Sequence, residues 1–227
     1  MRVVVGEIDS RPVGPRLVIP TASQPAWPPF RRVGESIASA GRQLPRHVHE
    51  HEEVLTYVTE GNASYQLEEA PVEALPSGAA RLLTAPGKVS HRVSPAQGSA
   101  IRWFNLVVGL PTPAAGAPRA QAMAPDAPRQ EVDNARVLAL VGPRAPMTSG
   151  AGLECQELAF DVASTTFARL GARRRAILYA LAGQGLVAQQ SVSAGEAALV
   201  EGLPAVPIQG SPGFRAIWAT APTEDGP

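Results

Sequence analysis

The chain has one cysteine, Cys155, among 227 residues, so no intrachain disulfide can brace it. Cys155 lies in an apolar stretch, 153–160, where a lone thiol reads as a small buried hydrophobe. Net charge is also missing: 20 Lys and Arg stand against 20 Asp and Glu. A neutral chain exerts no global pull on phosphate backbones or anionic lipid, so direct nucleic-acid binding is not expected. The first twenty residues, MRVVVGEIDSRPVGPRLVIP, are broken by charges and prolines. They read neither as a signal peptide nor as a spanning helix. No membrane association is expected, and a cytoplasmic location follows by default. Helix-forming runs are few, and the second half of the chain lacks histidine altogether.

What the chain has in quantity is punctuation. Its 21 Gly and 23 Pro approach a fifth of all residues, a density that suits short strands joined by turns. Residues 53–59 (EVLTYVT) are β-branched and aromatic, residues 60–62 form a turn, and 63–67 alternate again, which is a hairpin pattern. Residues 81–84 and 100–108 read as further strands. So do 137–141, 153–162, 176–182, 185–190, 197–200 and 215–219. Evenly spaced short strands predict an all-β sandwich or barrel. The Pro- and Ala-rich stretch 113–130 reads as an extended connector. It divides the chain into an N-terminal domain, 1–112, and a C-terminal domain, 131–227. The halves echo one another: Tyr57 to Ala63 resembles Tyr179 to Gly185, each a strand, a glycine turn and a returning strand.

Histidine carries the chemistry. The chain has four, at 47, 49, 51 and 91. Alternate residues of a strand share a face, so His47 and His49 point one way and Val48 the other. His51 follows in a charged EHEE segment where the chain turns. A Pro86-Gly87 turn leads to His91, which can bring a third imidazole beside the first two. Three imidazoles suit iron, nickel, copper, zinc or manganese, and leave positions open for substrate or oxygen.

Gly41, His47, His49 and Gly61 have the spacing of the first cupin motif, and Pro86, Gly87 and His91 resemble the second. His47-Val-His49 followed by residues 53–61 (EVLTYVTEG) is similar to the pirin signature, as is Trp103-Phe104-Asn105-Leu106. The resemblance implies two cupin (double-stranded β-helix) barrels in tandem, with a metal only in the first, held by His47, His49 and His91. It implies iron as the usual metal. It further implies a quercetin 2,3-dioxygenase-like enzyme acting on small aromatic substrates, or a redox-sensing protein that binds a protein partner. A degenerate cupin with a weakened site is a third reading. The chain departs from the signature at Val93, where pirins carry a glutamate ligand. The fourth position is then left to Glu53, Glu52 or water. Glu53, four residues after His49, has the spacing other cupins use for their glutamate and is the candidate ligand and catalytic carboxylate; counting back from Gly61 instead puts that register at Val54, and a one-residue slip reverses the face. Val58, Val93, Trp103 and Phe104 are expected to wall the site, although only one of the adjacent Trp103 and Phe104 can face inward. Arg173, Arg174 and Arg175 fall where a second active cupin would carry its histidine pair, and read as a solvated loop, an anion site or an inter-domain bridge.

Overall fold

The computed structural model describes residues 2–5, 7–8, 15–21, 24–25, 27–111 and 116–223. The described residues form strands and turns and contain no helix. They build two barrels, each a seven-stranded sheet closed by a four-stranded one. In the first barrel the large sheet runs Arg119–Met123, Ala80–Ala85, Glu52–Glu60, Ile101–Gly109, Phe30–Ala38, Pro15–Ile19, Glu7–Ile8. Its small sheet runs His47–His49, Val89–Pro95, Asn62–Leu67, Glu73–Pro76. The second barrel repeats the scheme around Arg174–Ala182 and Arg215–Pro222, and every strand pairing is antiparallel.

Period-two alternation decides what each large sheet presents. On Glu52–Glu60, Leu55 and Tyr57 join a cluster shared by both barrels, while Val54 and Val58 face their own barrel's interior. Ile101–Gly109 does the same: Phe104, Leu106 and Val108 face the partner barrel, and Trp103 and Val107 face inward. Both faces of these strands are covered, which explains their nearly unbroken apolar sequence. Across the interface the Phe104 and Tyr179 rings lie 5.3 Å apart. The second barrel's interior is one apolar cluster that includes Phe160, Leu178, Phe214 and Trp218. The first barrel's interior falls into two smaller clusters.

The interface carries two crossed hydrogen bonds. Tyr57 of the first barrel donates to Glu157 of the second at 2.8 Å, and Tyr179 of the second donates to Glu35 of the first at 2.9 Å. The pairs Glu35/Glu157, Glu53/Arg175, Tyr57/Tyr179 and Gly61/Gly183 share one constant offset along the chain. The echo in the sequence is thus a repeated structural unit. Both turn glycines have φ in the left-handed region, +78° and +70°. A Cβ at Gly61 would meet the Ala100 carbonyl at 2.0 Å.

Two features differ from the sequence expectation. Part of the 113–130 connector is strand: Arg119–Met123 pairs with Ala80–Ala85 of the first sheet, and Gln130–Val132 with Ala135–Val141 of the second. Arg119–Met123 lacks β-branched residues, which hid it; its anchor is buried Met123. The first strand, Arg2–Val5, pairs with Glu196–Val200 and so belongs to the second barrel's sheet.

Candidate metal centre

His47–His49 is a three-residue strand paired antiparallel with Val89–Pro95. The register sets His47 opposite His91 and His49 opposite Val89. Val48 faces outward at 61% exposure, whereas His49 and His91 are buried. The three imidazoles meet: His91 Nε2 lies 2.9 Å from His47 Nε2 and 3.1 Å from His49 Nε2. His51 takes φ 54° and is exposed, so the chain has turned away there.

The grouping fits a metal ion. A ring nitrogen carries at most one proton, so His91 Nε2 cannot serve both neighbours as a donor. A cation among the three would satisfy every lone pair at once. Neighbouring ligands at right angles, each about 2.1 Å from an ion, stand about 3 Å apart, close to both separations. Burial, reinforced by His47 and His49, pushes the His91 pKa down to about 2. Burial, reinforced by the neighbouring His49, also lowers that of His47. Both rings therefore stay neutral, the state that ligates metal.

Glu52 contacts this group from behind. One of its carboxylate oxygens bonds His49 Nδ1, and the other accepts from Arg31 at 3.4 Å. An ionised carboxylate can only accept, so His49 Nδ1 carries the proton and its Nε2 lone pair faces His91. Burial works to raise the Glu52 pKa, but the bond from His49 and the neighbouring His49 and Arg31 outweigh it and hold it below the usual value.

Glu53 stands apart. It is fully buried on the face turned to the second barrel. It accepts from Thr84 Oγ1 at 2.8 Å, Gly150 N at 2.9 Å, Ala151 N at 3.4 Å, and from Ser149 Oγ. The structure does not bring it to the imidazoles; the residue that lines their cavity is Val54.

That cavity holds about 300 Å³. Val93, Trp103 and Val107 give it apolar walls, and Arg32, Ser36 and Asn105 are its polar members besides histidine. No carboxylate lines it among the described residues. Val93 follows His91 by two positions on one strand and so shares its face. Val58 packs in the interior cluster instead, and Phe104 faces the other barrel. Sequence reading missed Arg32, which reaches the site through its pairing with Val107 across the sheet. No local motif marks it.

The second barrel opens on a cavity of about 330 Å³ lined in part by Arg144, Gln156, Arg169 and Trp218. By the repeat offset, Arg169 takes the place of His47. Arg173, Arg174 and Arg175 correspond to His51, Glu52 and Glu53, two strand positions beyond the histidine pair. Arg173 repeats the left-handed backbone of His51, at φ 56°. Arg174 donates to Gly152 and Thr220, and Arg175 donates to Glu201. Arg175 also donates to the Pro28 carbonyl and stacks 5.1 Å from the Trp27 ring, tying the barrels together. The triplet thus serves structure and the interface. Cys155 is buried in the intersheet cluster, and burial alone raises its thiol pKa.

No family model matches the sequence, and no curated protein matches it significantly. Solved structures match it throughout. GK1651 from Geobacillus kaustophilus superposes with a TM-score of 0.86 at 22% identity, covering 100% of this chain and 96% of that one. A quercetin 2,3-dioxygenase from Acinetobacter baumannii gives 0.84 at 17% identity, covering 99% and 79%. The bacterial pirin YhhW from Escherichia coli, in complex with nickel(II), gives 0.82 at 15% identity, covering 98% and 99%. At these identities the likeness speaks for architecture, and with the strand order above it shows that the chain has the tandem-cupin fold of the pirins.

Proposed function

We propose that this protein is a cytoplasmic, metal-dependent oxidoreductase that binds one metal ion through His47, His49 and His91. Its substrate class is a small aromatic with an ionisable hydroxyl, as in quercetin. The convergence of three Nε2 atoms at the wall of one cavity carries the reading. The solved structures of a nickel-bound pirin and a quercetin 2,3-dioxygenase support it by fold. Iron is the expected metal, and nickel, copper, zinc and manganese also suit imidazole.

When bound, the ion supplies Lewis acidity and a path for electrons. Trp103 and Val107 give an aromatic ring an apolar wall and keep water from it. Asn105, which donates to Ser36 at 3.4 Å, supplies a polar contact. No carboxylate among the described residues lines the cavity to act as base, so the hydroxyl proton leaves to solvent, and the exposed Arg32 guanidinium favours the resulting anion.

Val93 favours a second reading. The lost ligand suits a protein that holds metal as a redox sensor and presents a surface to a protein partner. Elemental analysis of purified protein, paired with oxygen consumption on quercetin, separates the two. One metal per chain with turnover supports the enzyme, and metal without turnover supports the sensor. Failure to take up any transition metal on reconstitution overturns both.

A further inference from the structure

We infer that Glu52 supplies from behind His49 the negative charge that the metal position lacks at Val93, which makes it a positioning residue for the ion. This rests on the metal reading above. Val93 shares the face of His91, is 4% exposed and cannot coordinate. No carboxylate reaches the cavity from any other described element. A dication held by three neutral imidazoles would keep its full charge against two buried rings, His49 and His91, which is costly without compensation.

The three rings are not backed alike. His91 Nδ1 is buried with no partner, and the His47 ring has its hydrogen bond with His91. His49 alone has an anion behind it. That anion is itself fixed: Glu52 pairs in register with Gly109 on one side and Ala85 on the other, and accepts from Arg31. A Cβ at Gly109 would stand 3.0 Å from Arg31, so the glycine leaves room for the guanidinium. Arg31, Glu52 and His49 thus form a row ending at the metal position. A carboxylate on the far ring nitrogen fixes the tautomer and makes the near nitrogen a stronger donor.

Zinc(II) affinity, measured by competition with a chromophoric chelator, tests this in wild type, Glu52→Gln, Val93→Glu and the double variant. Melting of each metal-free protein is recorded alongside. Glu52→Gln is expected to weaken zinc binding roughly 10–100-fold while leaving the metal-free melt nearly unchanged. Val93→Glu is expected to tighten binding, and in that background Glu52→Gln should cost several-fold less, because the ion then has a carboxylate of its own. Wild-type zinc binding that Glu52→Gln leaves within about threefold, or an equal loss in both backgrounds, overturns the inference. If Glu52→Gln lowers the metal-free melt, the Val93→Glu arm decides, and failure to tighten overturns it. A wild type that binds no zinc, nor any other transition metal, overturns the metal reading and this inference with it.

Discussion

The two crossed tyrosine–glutamate bonds look equivalent by repeat symmetry, yet their surroundings are unequal, and so should be the cost of breaking them. Glu157 accepts from Tyr57, from Arg129 at 3.0 Å and from Arg215 at 2.7 Å. Glu35 accepts from Tyr179, and its other carboxylate oxygen is buried without a partner. Tyr57→Phe therefore leaves a carboxylate still held by two guanidiniums, a loss of about 1 kcal/mol. Tyr179→Phe leaves a buried carboxylate with no hydrogen bond, and hydrogen bonds to charged groups are worth about 1.5–3 kcal/mol. In a chain of this length each kcal/mol moves Tm by roughly 2–4 °C. Tyr179→Phe should thus melt roughly 3–12 °C below wild type, and Tyr57→Phe about 2–4 °C below it. Phe keeps both rings, so the Phe104 contact survives and packing does not confound the comparison. Thermal melts near neutrality, followed by circular dichroism, provide the assay. The gap should close in acid, where Glu35 takes up a proton and loses its charge. Equal shifts for the two variants, or a larger one for Tyr57→Phe, would refute the argument.

Glu35 also makes stability depend on pH. Burial raises its pKa above 4.5 against the lowering effects of Tyr179, Arg102 and Arg16. The folded state therefore holds this proton more tightly than the unfolded state does. Its contribution is complete below pH 4.5 and is lost as pH rises through the folded value. Glu35→Gln removes that loss, so its Tm should rise relative to wild type between acid and neutral pH; a parallel pair of curves would contradict this. Glu53→Ala strips partners from Thr84, Ser149 and Gly150 at the interface. It should cost about 1–3 kcal/mol for each buried donor left unpaired, read in urea denaturation, with zinc affinity unchanged, and a loss of zinc binding in folded protein would return Glu53 to the site. Cys155, fully buried with a raised thiol pKa, should resist a thiol-specific disulfide reagent in native protein and react stoichiometrically in denaturant. Rapid native labelling would show that the intersheet cluster opens.

Much of this was legible in the sequence because strand alternation is strict. Period two put His47 and His49 on one face, and the solitary remote His91 was the natural third member. Parity allowed only one of Trp103 and Phe104 inside, but two competing spacings left Glu53 open, and only the strand register turns it away and Val54 inward. The connector was misread because alanines in Arg119–Met123 carry little strand signal, and only pairing with Ala80–Ala85 makes them a strand. Motif spacing sets the arginine triplet four positions early in the repeat, since it counts residues and the fold counts registers. Arg32 and the bond from Glu52 to His49 were invisible for another reason. Each depends on which side chain a neighbouring strand or turn sets beside it, and no composition or spacing encodes that.

The strand Arg2–Val5 lies along Glu196–Val200, in the sheet of the other barrel. Residues 2–5 therefore take their place only once residues 196–200 are there to pair with them. A gene split at the connector would give one fragment with an orphaned leading segment and another with a bare sheet margin. The second barrel's large sheet is thus completed by a segment that precedes the first barrel, so the two repeats cannot be exchanged as separate cassettes.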